Sequence, residues 1–423
     1  MRQSLAGEIV RFLGVSSGAC NLETPSRWST LSRRQWDRVL DWLDLSGLAL
    51  LFWSRLEDAG AEGAVPGEVG EELARSLDDH RQRITSMTAE FNAINQCFER
   101  AGIRYAALKG FALIPDYCPD AALRTTYDHD YLVSPDNVDR AEQALAAAGW
   151  VRKQERVDHP LVYFHAASPV WSPIERDDLY SPSFPRTIEL HHCLWESEGL
   201  GICADLPEDM LASSRVRSGQ GLRFSVLAEE DELMFQVLHA FRHILYNWCR
   251  LCSLRDVAYF LENRSWDAAF WERFSNRISG REPLPEITGV VFLLATELFG
   301  ASIPPRIGAE TVETLPRALA LWVEQYGRDS ALDNFSRNKF GLFLHREFVH
   351  DPAVWRRVRR KLLFPMQRPN KAAVAGTTQL SARLSAAWKQ ALYGGKRVVH
   401  HLMAALRYGC ESYRWQRLRA GGR

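Results

Sequence analysis

Apolar residues recur along this chain with two different periods, and its elements lie between the points where the period changes. From about Val69 to Ala101, residues Leu73, Leu77, Ile84, Met87, Phe91, Ile94 and Phe98 follow three-to-four spacing, which predicts one long amphipathic helix. Ile103 to Leu108 then reads as a short buried strand, ended by Lys109-Gly110. Phe111-Ala112-Leu113-Ile114 begins a helical stretch that Pro115 and Pro119 keep short. The run Arg124 to Val133 carries an Asp-x-Asp strand and Arg186 to Leu194 alternates as another, with a helix from Val138 to Ala148 ending at Gly149-Trp150 between them. Leu200 to Ser218 reads as irregular. Glu229-Glu230-Asp231-Glu232 opens a further helix, its acids suited to a positive N-terminal dipole.

Helical patterns flank this unit on both sides. Ser32 to Trp36 opens a helix, and Leu40, Trp42, Leu43, Leu45, Leu48, Leu50, Leu51 and Phe52 supply a buried face, with Ser46-Gly47 marking a break. Gly60 to Gly67 interrupts the pattern again. Helices through Leu298, Leu319 and Trp322 complete a later bundle. The predicted organisation is a helical region over 1–90, a mixed strand-helix core over 91–200, a helical domain packing over its cleft at 201–330, and a basic helical region over 331–423 with a linker near 367–380. There is no internal repeat.

The chemistry concentrates in the strand-rich unit. Alternation puts Asp128 and Asp130 on one face of their strand, and Glu189 with His191 on one face of theirs. Side-by-side carboxylates repel, and a divalent cation removes that repulsion. Two acids at a strand end are, in isolation, usually just solvated. Here they follow a strand that turns through Lys109-Gly110 into a helix start, where free backbone N–H groups and the Lys109 ammonium suit a phosphate. A third carboxylate, Glu189, on a neighbouring strand completes an oxygen cage for Mg²⁺ or Mn²⁺. Arg124, four residues before Asp128, has two readings, a phosphate contact or an ion pair that fixes the loop.

Leu108-Lys109-Gly110, Arg124 with Asp128-x-Asp130, Leu132 to Asp136, the helix Val138 to Ala148 with Gly149-Trp150, and Ile188-Glu189-Leu190-His191 resemble an uncharacterised nucleotidyltransferase family of bacterial proteins within the DNA polymerase β-type superfamily. The resemblance covers roughly residues 90 to 200. It implies an α+β fold, a small mixed sheet flanked by N- and C-terminal helical regions. It also implies that Asp128 and Asp130 bind metal with the nucleotide and that a third acid, Glu189, adds to the metal site and to activating an acceptor hydroxyl; the residues themselves make Lys109, Gly110 and Arg124 the expected nucleotide contacts. Two positions depart from the superfamily pattern. The glycine is preceded by Lys109 and followed by Phe111, and the middle residue of the acidic motif is His129, expected to face the layer behind the strand as a core histidine.

The expected activity is metal-dependent transfer of an NMP from an NTP to a hydroxyl acceptor. The alternative is a nucleotide-binding scaffold without turnover, docked through a basic tail. Lys plus Arg and Asp plus Glu each number 52, so global charge offers nothing to nucleic acid. From Trp355 onward, however, Glu411 is the only acid among many Lys and Arg, and apolar residues interleave with them at helical intervals. Such a helix can cap the protein's own core, meet a membrane surface or protein partner, or contact the phosphates of a nucleic acid. The eight cysteines are scattered, and Cys249-x-x-Cys252 has no second pair to make a zinc site. His239 and His243 share a helix face without the intervening Glu of a zinc protease, which suggests a structural or substrate-facing role. No secretory leader or spanning segment is apparent, so the expected location is the cytoplasm.

Overall fold

A computed structural model describes residues 3–15, 28–153, 160–166, 179–219, 221–333, 338–364 and 380–420. Seven strands form one mixed sheet: β1 (Tyr105–Leu108), β2 (Asp128–Val133), β3 (Trp150–Arg152), β4 (Leu161–His165), β5 (Thr187–His191), β6 (Arg215–Gly219) and β7 (Leu222–Val226). Their order is β3-β4-β5-β2-β1-β7-β6. At its centre β2 runs antiparallel to β1 and parallel to β5, while β1 runs parallel to β7. Two expectations need correction. The stretch read as irregular up to Ser218 contains most of β6, and β6 and β7 carry the sheet past the predicted core limit of residue 200.

The helices in chain order are α1 (Gln3–Phe12), α2 (Arg33–Ser46), α3 (Ala49–Asp58), α4 (Gly67–Arg100), α5 (Val138–Ala147), α6 (Ser197–Leu200), α7 (Glu229–Leu245) and α8 (Leu251–Asn263). They continue with α9 (Ala268–Ile278), α10 (Leu284–Phe299), α11 (Pro305–Thr311), α12 (Arg317–Trp322), α13 (Arg328–Leu332), α14 (Gly341–Phe348), α15 (Pro352–Leu363) and α16 (Leu380–Ala420). The fold is therefore α+β, a mixed sheet flanked by helices from both ends of the chain. The linker expected near 367–380 lies almost wholly outside the described residues.

Each sheet face has its own core. On one, Tyr105, Ala107, Tyr131, Val133, Ile188 and Leu190 pack against Met87, Phe91 and Phe98 of α4 and Ala141 and Leu145 of α5. Phe91 is the hub of this layer. Its ring stacks on Phe111 at 4.8 Å and Tyr131 at 5.8 Å, and meets Phe224 edge-on at 5.0 Å. Offset and edge-on pairs of this kind contribute about 0.5–1.5 kcal/mol each beyond their buried area. On the other face, Ala106, Leu108 and Leu132 join the core of the helical bundle, which includes α7, α8 and α10. Strand alternation thus sends odd and even residues of β2 into two different interiors, and the acids Asp128 and Asp130 point toward the bundle.

α4 is one uninterrupted helix of 34 residues. Its N-terminal half buries Val69, Leu73 and Leu77 in the bundle, and its C-terminal half covers the sheet. Between α7 and α8 the chain breaks at Asn247, which sits at φ +56° and receives support from Gly341, whose N–H donates to Asn247 Oδ1 at 3.1 Å. Cys249 and Cys252 are buried free thiols beside this break.

Candidate active site

Register places the acids in line. Asp130 lies opposite Leu108 of β1 on one side and Glu189 of β5 on the other, while Asp128 lies opposite Thr187. Glu189 and His191 are two apart on β5 and therefore share the face of Asp128 and Asp130. Ligand atoms of Asp130, Glu189 and His191 all fall within 4.8 Å of one another. The trio contains Asp130 and Glu189 of the expected set together with His191. Asp128 remains on the same face, two residues along the strand.

Lys109 supplies the positive charge at the centre of the cluster. Its Nζ donates to Asp130 Oδ1 at 2.6 Å and lies 3.7 Å from Glu189 Oε2. His191 Nε2 approaches the same Asp130 oxygen at 3.0 Å and Glu189 Oε2 at 3.6 Å. Burial would disfavour the Lys109 ammonium, but Asp130, Glu189 and Asp128 together hold its pKa above the ordinary lysine value. Burial likewise opposes ionised Asp130, yet Lys109 and His191 hold that carboxyl well below the usual carboxylate range. Asp128 behaves differently. Burial, then repulsion from Asp130 and Glu189, push it up to about 7, with Lys109 and Arg250 offsetting only part of the effect. Neighbouring carboxylates driven apart in this way have a surplus of negative charge that a further cation would neutralise.

The turn that aims Lys109 is unusual. Lys109 adopts φ +50°, and Gly110 follows at φ +24°. A Cβ on Gly110 would meet Thr126 Cγ2 at 3.1 Å and come within 3.9 Å of Arg124 Nη1, so glycine is required by both conformation and space. The helix expected after it is only the 3₁₀ turn Gly110–Leu113. A single such turn has little macrodipole, so the positive charge at this turn comes from Lys109 rather than from a helix N-terminus.

The bundle closes over this face. Arg124 Nε donates to Asp256 Oδ2 of α8 at 3.0 Å and its Nη2 lies 3.0 Å from the same oxygen, the ion pair among its two readings. His80 of α4 anchors the same loop, with Nδ1 2.9 Å from the Ala122 carbonyl oxygen. Arg250 lies over the Tyr127 ring at 5.6 Å. His239 and His243 of α7 meet edge-on at 4.6 Å. Burial, then surrounding cations that include Lys109, keep both neutral. His239 lies well below its ordinary value, and His243 is lowered to about 3.

His129 points the other way, as its position in the alternation requires. Its side chain is buried against Phe91 and Phe111, and its Nε2 lies 3.3 Å from Glu90 Oε2. Arg186 joins the same carboxylate with an Nε contact of 2.7 Å. Burial would raise Glu90, but hydrogen bonds from His129 and Arg186 bring it down to about 2. This pairing ties α4 to the edges of β2 and β5 behind the acids.

A family model described as an uncharacterised nucleotidyltransferase matches residues 32–300. The chain belongs to this family. Comparison with curated proteins and with solved structures found no match. The matched span runs from α2 through α10 and includes every strand of the sheet, and with them the Asp130–Glu189–His191 cluster. The family's description makes a nucleoside triphosphate the expected substrate class and transfer the expected reaction class. The donor set of two carboxylates and an imidazole fits a divalent cation, since Asp130 and His191 are buried, the set bears net negative charge, and it offers hard oxygens with one nitrogen.

Three site contributors went unassigned in the sequence reading. His191 had a signal, its shared face with Glu189. Arg250 and Asp256 had only their place in the stretch from Leu233 to Phe260 expected to pack over the cleft, because their partners Tyr127 and Arg124 lie more than a hundred residues earlier in the chain.

Proposed function

We propose that this chain is a metal-dependent nucleotidyltransferase of the DNA polymerase β type, moving an NMP from an NTP to a hydroxyl-bearing acceptor. The observation that carries the reading is the convergence of Asp130, Glu189 and His191 beside the Lys109-Gly110 turn, within the span matched by the nucleotidyltransferase family. Asp130, Glu189 and His191 would hold the cation, with Asp128 adding charge from the same strand face. A bound divalent cation supplies neutralisation of phosphate charge and Lewis acidity. The imidazole in the set favours Mn²⁺ over Mg²⁺, which prefers an all-oxygen shell.

The chain's own residues have separable tasks in this reaction. The acceptor oxygen forms a bond to the α-phosphorus while the bond from that phosphorus to the bridging oxygen breaks, releasing pyrophosphate. Glu189, the most exposed of the three cluster side chains at 25%, takes the acceptor's hydroxyl proton. Lys109 exchanges its contact with Asp130 for a phosphate oxygen and so offsets charge on the leaving group. Arg124, fixed by Asp256, keeps the turn that carries Gly110 in place. His239 and His243, neutral and close to this charge, add polar lining without adding repulsion or attraction.

A second reading, a nucleotide-binding scaffold without turnover, draws on one feature, the 2.6 Å contact by which Lys109 already satisfies Asp130. Calorimetry of the four NTPs with Mg²⁺ or Mn²⁺, wild type beside Asp130→Asn/Glu189→Gln, tests the first reading. Metal-dependent binding that disappears in the variant supports it and defines the nucleotide for an acceptor search. No binding by the folded wild type would refute it. Metal-independent binding without pyrophosphate release across an acceptor panel would instead favour the scaffold.

A further inference from the structure

The final helix, α16, spans 41 residues and is fastened along one side only. Its inner face buries Ala404 and Trp415. Phe343 of α14 stacks on Tyr408 at 4.8 Å and on Trp415 at 5.7 Å. Tyr326 donates its hydroxyl to Glu411 at 3.1 Å, and Arg419 pairs with Glu347 of α14 at 3.0 Å. These contacts fix which face of the helix looks outward.

That outward face is apolar. Among the described residues, 14 large hydrophobic side chains are exposed, and Trp388, Leu392, Val398, Val399, Leu402, Met403, Leu406 and Tyr413 of α16 make up more than half of them. Their exposures run from 48% to 68%, so the body of the protein does not cover them. At about 100° per residue, all but Val398 fall within an arc of about 100°, and Val398 borders it. At about 1.5 Å per residue the stripe is about 38 Å long. Scattered exposed hydrophobics need no explanation, but a continuous stripe on one anchored helix does.

Charge decides what covers it. Arg407, Arg414 and Arg417 are exposed beside the stripe. Between Trp388 and Ala420 the sequence has seven Lys and Arg against the single acid Glu411. Two copies meeting through this face would bring two strongly cationic helices together. An anionic lipid surface offers the complementary charge together with an apolar layer at the right depth. Trp388 and Tyr413, toward the two ends of the stripe, belong to the residue types that favour the headgroup boundary. No described helix is long and apolar enough to cross a membrane, so the helix would lie in the plane of the interface.

We infer that α16 docks this protein on an anionic membrane surface through the stripe Trp388–Tyr413 and its flanking arginines. The inference stands apart from the nucleotide site, since none of its residues belongs to it. Flotation of the full chain with phosphatidylcholine vesicles, and with vesicles containing a quarter phosphatidylglycerol, tests it. The wild type is expected to float with the anionic vesicles, less so in high salt, and to remain at the bottom with neutral ones. Leu402→Asp/Leu406→Asp should lower the partition coefficient by about tenfold or more, because it places charge in the stripe. Arg407→Gln/Arg414→Gln should lower it severalfold on the anionic vesicles. All four positions are exposed, so unchanged circular dichroism and melting temperature confirm that each variant folds. Absence of flotation by the folded wild type, or undiminished flotation by Leu402→Asp/Leu406→Asp, overturns the inference. Sedimentation velocity showing a dimer that the aspartate variant dissociates, without vesicle binding, would assign the stripe to a second copy instead.

Discussion

Replacing Lys109 with methionine isolates the electrostatics of the acidic cluster. The side chain stays unbranched, one heavy atom shorter, and loses its charge, leaving Asp130 and Glu189 without the ammonium now 2.6 and 3.7 Å away. At an effective dielectric of about 20, the closer contact alone is worth about 6 kcal/mol of gross Coulomb attraction. Desolvation of both ions offsets part of this, and removing one partner of a buried pair costs about 3–5 kcal/mol. For a chain of this length each kcal/mol corresponds to about 1 °C of melting temperature, so Lys109→Met in EDTA should melt about 3–6 °C below wild type. A cation that binds Asp130, Glu189 and His191 substitutes for the lost ammonium. Millimolar Mn²⁺ should therefore stabilise Lys109→Met more than wild type, where Lys109 competes with it. The assay is a paired thermal melt of both proteins with Mn²⁺ and with EDTA. A Lys109→Met melt within 1 °C of wild type (about 1 kcal/mol by the same scaling) would refute the energetic argument. An equal Mn²⁺ increment in both proteins would refute the shared site.

Three further outcomes follow from the geometry. Asp130→Asn and His191→Ala should each weaken Mn²⁺ binding at least as much as the about 10–100-fold that loss of an outer partner costs a metal site, whereas His129→Ala, on the opposite face, should destabilise the protein and leave Mn²⁺ affinity in calorimetry unchanged. Arg124→Ala and Asp256→Ala should each cost about 3 kcal/mol, and the double variant little more, so a denaturation double-mutant cycle with coupling under about 0.5 kcal/mol would disprove that the pair acts as a unit. Burial holds His80 at about 4 in the folded protein, below its ordinary 6.5. As pH falls, the unfolded chain binds a proton at this position first. The His80 contribution is thus complete above pH 6.5 and is lost toward pH 4, by about 3 kcal/mol in all. The stability gap between wild type and His80→Gln should narrow over that range in urea titrations, and a constant gap would exclude the linkage.

What the sequence disclosed depended on how local each feature is. α4, β1, β2 and β5 were legible because their apolar periods persist for several residues and stop at glycine, proline or charge. The face of Asp128, Asp130, Glu189 and His191 followed from strand alternation alone, as did the buried position of His129 behind it. β6 was hidden because Arg215-Val216-Arg217-Ser218-Gly219 is a polar edge strand whose one buried residue, Arg217, reads as surface. β7 alternates cleanly with Leu222, Phe224 and Val226 buried, yet nothing local indicates that it pairs with β1, whose residues lie more than a hundred positions earlier. The Lys109–Asp130 contact was likewise out of reach. The sequence suggested a lysine reaching for phosphate, and only the register of β1 against β2 shows that an acid is the nearer partner. The basic tail was recognisable as amphipathic, but which side of it meets the protein depends on Phe343 and Tyr326, far away in the chain.

The continuity of α4 alters how the molecule can be divided. At about 1.5 Å per residue its 34 residues make a beam about 51 Å long, built into the helical bundle at one end and into the sheet at the other. A cut at residue 90 would pass one position before Phe91, the aromatic hub, and would sever Glu90 from the His129 and Arg186 it holds. The sheet and the N-terminal helices are therefore joined through one continuous element, packed in both cores. Evolution could exchange the cover over the acids while keeping this beam, and fragments that begin inside it would inherit strands without their foundation.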